Sequence, residues 1–332
     1  MSSIFSDKIV LVTGGTGSFG TKFIEVALKE CNPRAIRIYS RDEMKQHLMA
    51  QTFKDERLRF FIGDVRDKDR LQRAMKCVDI VIHAAALKQV PACEYNPFEA
   101  VQTNILGAKN VIEAAIDNGV KRVIALSTDK AVNPVNLYGA TKLVAEKLFV
   151  QGNSYSGAHG TIFSCVRYGN VVGSRGSVIP LFLEQCKTNV VTVTDKRMTR
   201  FWITLGQGVE FVIRCLDLMH GGEIFVPKIP SMRMVDLVQA IAPKCQVQFT
   251  GIRPGEKIHE SLLADGEIRH TVDVGEMFVV EPQFPWWGKE NWKNGLPLSE
   301  EFSYTSDGNN RSLSVTELRQ LAGITVAEEA CA

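Results

Sequence analysis

The chain has 332 residues, 45% of them apolar, with 39 Lys and Arg against 37 Asp and Glu for a formal net charge of +2. That length suits one nucleotide-binding core plus a smaller lobe, and the near balance of charge gives no whole-molecule argument for a nucleic-acid partner. Eight scattered cysteines form no CxxC pair, His83, His159, His259 and His270 show no metal spacing, and no apolar run approaches the roughly 18–20 residues of a membrane span, so the expectation is a cytoplasmic, non-membrane protein with reduced cysteines and no metal.

In chain order, Ile9 to Val12 is a short apolar strand that runs into a glycine turn, without the basic head of a signal peptide before it. A helix follows on Phe19, Phe23, Ile24, Ala27 and Leu28. Further strands are predicted at Ala35–Tyr39, Leu58–Ile62, Val78–Ile82, Arg122–Leu126 and Thr161–Val166, with helical spacing between them, as over Pro97–Ala115. Short apolar strands alternating with helices predict an α/β protein, a Rossmann-type parallel sheet covered on both faces. The rhythm breaks after about residue 168. Val190–Val193 and Glu223–Val226 read as isolated strands, and Leu205–Leu218, Met234–Ile241 and Glu256–Leu263 as helices. Beyond Gln283 the pattern is mostly loop. The expected division is a cofactor domain over 1–168, with later segments returning to it, and a smaller mixed substrate lobe with a C-terminal arm over 169–332.

The run Thr13-Gly14-Gly15-Thr16-Gly17-Ser18-Phe19-Gly20 lies between the first strand and the first helix. Glycines there let backbone approach a pyrophosphate, and the helix N–H groups point at the anion. The alternative is a turn that only packs helix on strand. At the end of the second strand, Ser40 and Arg41 suit a 2′-phosphate, since the guanidinium fork pairs with phosphate oxygens. Asp42 competes as an acid for a free 2′-OH, so NADP is preferred and NAD stays open. Asp64 and Val65 are placed to touch the adenine, although Asp64 also reads as a helix cap. Ala84, Ala85 and Ala86 would let the dinucleotide lie close to the chain.

The fifth strand ends in Ser127-Thr128-Asp129-Lys130, and Tyr138-Gly139-Ala140-Thr141-Lys142 opens the next helix. Four residues of helix put Tyr138 and Lys142 on one face. A phenol is a poor base at neutral pH unless a nearby ammonium stabilises its phenolate, and such a pair can take a hydroxyl proton while the carbon beside it gives up a hydride.

With these residues in view, the chain resembles the extended short-chain dehydrogenase/reductase family, and within it the C5-inverting UDP-N-acetylglucosamine 4,6-dehydratases of pseudaminic acid biosynthesis. The resemblance covers nearly the whole chain through TGGTGSFG at 13–20, SRDEMKQ at 40–46, HAAALKQVP at 83–91, STDKAVNP at 127–134, YGATK at 138–142, RYGNVVGSRGSVIP at 167–180, MTRFWIT at 198–204 and RPGEKIHE at 253–260. Larger relatives carry an N-terminal membrane region, and this chain matches the short soluble type.

The resemblance implies that Tyr138, Lys142 and Thr128 serve C4 oxidation of a UDP-linked N-acetylglucosamine, that water then leaves across C5–C6, and that hydride returns to C6 with inversion at C5. Relatives that retain C5 configuration typically carry an Asp-Glu pair where this chain has Asp129-Lys130. The expected roles are Asp129 as acid and Lys130 as C5 base, the latter needing a lowered pKa from burial or a neighbouring cation. The plain alternative is a capping Asp and a surface or phosphate-pairing Lys. The resemblance adds Lys45, Lys88 and Asn104 to the cofactor set. Asn104 otherwise only satisfies helix backbone. For the substrate it implies Lys88, Thr128, Asn170, Arg175, Ser177, Val178 and Thr199, with Arg253 on the pyrophosphate and Glu256 on a ribose. Arg253 and Glu256 read alternatively as a turn with a surface ion pair. It also implies a homo-oligomer, a hexamer among the forms. The rivals are a 4-epimerase or C4 dehydrogenase of the same family and a cofactor-sensing protein without chemistry, which would have no need of Tyr138 and Lys142.

Overall fold

A computed structural model describes residues 3–157, 160–174, 176–284, 287–288 and 291–321. Five successive buried residues make β1 (Ile9–Thr13) the centre of a parallel sheet. β2 (Ala35–Ser40) and β3 (Leu58–Ile62) lie on one side of it; β4 (Ile80–His83), β5 (Arg122–Leu126) and β6 (Ile162–Val166) lie on the other. The predicted fourth strand starts two residues late, because the Val78 N–H closes a turn onto the Met75 carbonyl.

Two helices cover the ends of these strands near the site. α1 (Ser18–Glu30) follows the glycine turn, and α2 (Glu43–Phe53) is capped by Asp42, whose carboxylate accepts from the Lys45 N–H. α3 (Lys68–Met75) is capped by Asp67, so Asp64 does not have the capping role open to it in the sequence. After α4 (Val90–Tyr95), the helical run from residue 97 is split into α5 (Pro97–Val101), a π-turn at Gln102–Leu106, and α6 (Gly107–Asp117). α7 (Leu137–Ser156) carries the tyrosine and lysine, with Asn136 as its cap.

Later chain forms two small sheets, in which β7 (Asn170–Val172) and β11 (Ser231–Arg233) flank β9 (Thr199–Thr204), and β8 (Val190–Val193) pairs with β12 (Gln246–Phe249). With α8 (Val178–Cys186) and α10 (Met234–Ile241) they enclose a second apolar core around Phe182, Val191, Trp202 and Leu237. α9 (Leu205–Leu218) packs instead against α1. β10 (Ile224–Pro227) adds in parallel to β6, and β13 (Thr271–Asp273), β14 (Met277–Val280) and β15 (Leu296–Pro297) extend the main sheet antiparallel to ten strands. Beyond Gln283 the described residues are mostly loop, as the sequence suggests, apart from the two-residue β15 and α11 (Val315–Leu321), which packs on α10. The seven described cysteines are free, and Cys77 is exposed rather than buried.

Arg167, just past β6, ties these parts together. Its guanidinium donates to both carboxylate oxygens of Glu146 on α7 and to both of Glu267, with its side chain 1% exposed. Removing one member of a buried, fully bonded ion group strands the others. Arg167→Ala should therefore lose about 3–5 kcal/mol of stability in urea unfolding, whereas a loss below about 1 kcal/mol would show the triad to be inert.

Candidate active site

A cavity of about 810 Å³ opens at the carboxyl ends of the parallel strands. One wall is the glycine turn. Gly14 has φ +66°, and a Cβ there would lie 2.9 Å from the Ala85 backbone, so the loops after β1 and β4 touch without room for a side chain. Gly17 caps α1 without a side chain, so no capping group stands between the N-terminal end of that helix and the cavity. Thr16, Ser18, Phe19, Gly20, Ser40, Arg41, Lys45, Asp64, Val65, Ala84, Ala85, Ala86 and Lys88 all line the cavity.

Two predicted cofactor residues lie behind this wall. The Thr13 hydroxyl sits 2.8 Å from His83 Nδ1 and accepts from the Ala85 N–H, and Gly15 makes room for Ile38. Burial, with Lys142 nearby, lowers the His83 pKa to about 3, so the imidazole is a neutral partner. Asn104 is likewise turned to protein. Its carbonyl accepts from the Leu87 N–H, and its amide donates to the Leu87 carbonyl and the Thr141 hydroxyl. It holds the loop after β4 against α7.

At the cofactor-selecting end, Asp42 is engaged as a cap and with Lys45, while Arg41 reaches Asp64 at 3.5 Å and is half exposed. Asp64 also pairs with Arg66, and although burial opposes it, this pairing keeps its carboxyl below the usual range.

Tyr138 and Lys142 reach the opposite wall through a close contact. A Cβ on Gly139 would stand 2.1 Å from the Lys130 carbonyl oxygen, so the absence of a side chain lets α7 dock on the 129–131 turn. The Tyr138 ring packs on Cys93 and Ala100. Burial pushes its phenol up to about 12, against the lowering effects of Lys130 and of the Thr128 hydroxyl in hydrogen-bonding reach. The nearest resolved cationic influence on the phenol is therefore Lys130. Lys142 donates instead to the Leu126 carbonyl at 2.7 Å, and burial lowers its pKa.

Asp129 is fully buried. Its Oδ1 accepts from Thr128 Oγ1 at 2.8 Å and from Lys130 Nζ at 3.0 Å, while Oδ2 has no hydrogen-bond partner among the described residues. Neither side chain is thus a simple surface group. The expected lowering of Lys130 does not occur. Burial pulls in that direction, but the carboxylates of Asp129 and of Glu260, 3.7 Å away, outweigh it and raise the lysine.

The predicted substrate residues divide. Ser177 caps α8 next to Val178 without making a side-chain hydrogen bond, and its hydroxyl has no partner among the described residues. Asn170 pairs with Trp202 in β7. Thr199 faces protein, with its hydroxyl 2.8 Å from His259 Nδ1 and 2.6 Å from Ser306 Oγ. Arg175 lies outside the described residues. No helix forms over Glu256–Leu263. Arg253 is exposed on a tight turn, and the Glu256 carboxylate folds back to the Arg253 N–H rather than pairing with its guanidinium. That turn docks on α7 through Asn136, whose amide donates to the Gly255 carbonyl. The cavity also has walls not singled out in the sequence: Thr103, Ser127, Tyr168, Ser174 and Gly208. Ser127 had a signal, its place at a strand end; the others come from separate parts of the chain, Thr103 from the π-turn and Gly208 from α9.

A glycine turn under a parallel strand, with tyrosine and lysine on the helix across the cavity, defines a nicotinamide-dependent enzyme of the extended short-chain dehydrogenase/reductase fold. The chain belongs to the polysaccharide biosynthesis protein family, which it matches over residues 10–282. It is 50% identical to the UDP-N-acetylglucosamine 4,6-dehydratase (inverting) of Campylobacter jejuni subsp. jejuni serotype O:2, across 97% of this chain and 99% of that one. A UDP-glucose 4-epimerase of Rickettsia bellii is 42% identical over 96% of each chain. Among solved structures, Pen from Bacillus thuringiensis superimposes with a TM-score of 0.89 at 41% identity, over 96% of this chain and 97% of that one. No helix among the described residues is long and apolar enough to cross a membrane.

Proposed function

We infer that the protein is a UDP-N-acetylglucosamine 4,6-dehydratase that inverts C5, giving UDP-2-acetamido-2,6-dideoxy-β-L-arabino-hexos-4-ulose. The observation that carries this reading is the Thr128–Asp129–Lys130 cluster beside Tyr138, with Thr128 and Asp129 buried and Lys130 partly so, in a chain half identical to an inverting dehydratase. An epimerase needs the tyrosine and lysine but has no use for an acid and a base at C5–C6.

The dinucleotide, NADP in this reading, supplies a hydride acceptor for C4 and a donor for C6. The protein does the rest. Tyr138 takes the C4 hydroxyl proton as phenolate, with Thr128 orienting the hydroxyl and Lys142 supplying positive charge on the same helix face. The C4 ketone then acidifies the C5 proton. Lys130 removes it and Asp129 protonates the departing C6 oxygen. In the resting site the lysine is charged, so the working forms arise by moving one proton from Lys130 to Asp129. An N–H bond breaks, an O–H bond forms, and the net charge of the pair is unchanged. A single transfer thereby arms both base and acid. A proton finally reaches C5 from the opposite face.

The open N-terminus of α8 at Ser177 and Val178 supports a place for the UDP diphosphate, with Lys88 nearer the sugar and Arg253 at the outer turn. The exposed aromatic side chains Tyr95 and Phe98, at 88% and 81%, support a homo-oligomer. The 169–332 chain is read mainly as the sugar-nucleotide lobe, and the product as an intermediate of pseudaminic acid assembly in the cytoplasm.

Incubation with UDP-N-acetylglucosamine tests the activity. Loss of one water, with solvent deuterium at C5 of an L-configured product, is expected; unchanged mass would identify an epimerase. Arg41→Ala should weaken NADP binding roughly 10–100-fold while leaving NAD nearly unaffected, since a charge-assisted bond contributes about 1.5–3 kcal/mol. Equal losses for the two dinucleotides would remove Arg41 from cofactor selection.

A further inference from the structure

Glu260, in the segment between β12 and β13, is 2% exposed and faces three cations without a hydrogen bond to any. Its Oε1 lies 3.7 Å from Lys130 Nζ and 3.7 Å from Arg200 Nε, and its Oε2 lies 3.7 Å from Lys257 Nζ. That second oxygen has no hydrogen-bond partner among the described residues. Of the other buried carboxylates, Asp129 also has one unbonded oxygen, whereas the two glutamates away from the site are fully bonded. Glu223 accepts from the Ser164 hydroxyl and from the His220 and Gly221 N–H groups, and Glu146 takes a bidentate pair from Arg167. Burying a carboxylate with an unbonded oxygen is costly, and a purely structural role would have closed it.

The backbone around Glu260 is fixed. Its N–H donates to Ser306 Oγ, its carbonyl accepts from the Ser306 N–H, and the Thr199 N–H donates to the Ile258 carbonyl. Two of the three cations have anchors of their own. Arg200 donates to the carbonyls of Thr199, Lys257 and Ile258, and Lys257 donates to the Val132 carbonyl. Lys130 is the one whose side-chain hydrogen bond goes to a carboxylate of the reacting pair.

We propose that Glu260 is a positioning residue for dehydration: it anchors the Lys130 ammonium beside Asp129 and biases their shared proton towards the lysine. The proposal rests on the dehydratase reading for its catalytic meaning. Transfer of the proton from Lys130 nitrogen to Asp129 oxygen neutralises both groups and removes the attraction between Lys130 and Glu260. The glutamate therefore weighs against the armed form, and Arg200 and Lys257 moderate that weight. The charged and titratable groups facing Lys130 are Asp129 on its own turn, Tyr138 on α7, Arg200 on β9, and Lys257 and Glu260 on the closing segment. The raised pKa of Lys130 agrees with this arrangement.

The test follows the lysine directly, by side-chain ¹⁵N NMR of the full chain saturated with NADP, with the Lys130 signal assigned by its loss in Lys130→Ala. Glu260→Gln should lower the Lys130 titration midpoint by at least about one pH unit, because a unit charge at this range has an effect of that order. The pH profile of C5 solvent exchange should move down with it, KM for the sugar nucleotide should hold, and Glu260→Asp should recover most of the shift. Were Glu260→Gln insoluble, Glu260→Asp should still show a smaller fall of the same sign. An unmoved midpoint in either variant overturns the proposal, as does loss of exchange with its pH profile unchanged. If the unaltered protein releases no water from UDP-N-acetylglucosamine, the dehydratase reading fails, while the Lys130 midpoint still decides whether Glu260 sets its charge.

Discussion

Tyr138→Phe is expected to lower turnover of UDP-N-acetylglucosamine by about 10³-fold, within the range general acid–base groups contribute. The phenol is buried against Cys93 and Ala100, and the Phe ring keeps that packing while losing only the oxygen. Stability and dinucleotide affinity should hold, and the transient absorbance of reduced nicotinamide should vanish together with product. Retention of more than about a tenth of the activity would mean that another group takes the C4 proton.

Lys130→Ala should separate the chemistry. C4 oxidation, seen as the transient nicotinamide absorbance, remains measurable, whereas solvent exchange at C5 drops about 10²–10⁴-fold. The variant also strips Asp129 of the Lys130 bond and leaves that from Thr128, so its acid function is altered as well. Exchange at the unaltered rate would show that Lys130 is not the base. Lys130→Arg is a useful companion, since it keeps a cation near Asp129 and Glu260 but cannot act as a neutral amine at ordinary pH.

The parts of the site carried by local sequence were legible. The glycine turn announces itself because φ +66° at Gly14 and the 2.9 Å approach to Ala85 leave few residue types possible, and the spacing of Tyr138 and Lys142 follows from helix geometry. What local sequence hid was assembled by tertiary contact. RPGEKIHE has helical composition, yet Pro254 and Gly255 turn the chain, and Arg200 claims the Lys257 and Ile258 carbonyls that a helix would need. That exchange turns Lys257 and Glu260 inward, a juxtaposition with Asp129 and Lys130 spanning some 130 residues that no periodicity encodes. Charge state was equally hidden. Burial alone suggests a lowered lysine, and the carboxylates of Asp129 and Glu260 together reverse the sign. The protein partners of Asn104 and Thr199 were hidden for a related reason, since a polar residue inside a motif serves a ligand or the protein with the same side chain.

β6 pairs on its outer side with β10, Cys165 beside Ile224 and Val166 beside Phe225, so the cofactor-side sheet is finished by chain from the other half of the sequence. A fragment ending near residue 168 would leave that strand with a raw, apolar flank and Arg167 without Glu267. Expressed alone, such a fragment should form inclusion bodies rather than a portable dinucleotide-binding module. Transplanting the sugar-binding half between relatives would accordingly require carrying the returning strands along as part of the recipient sheet.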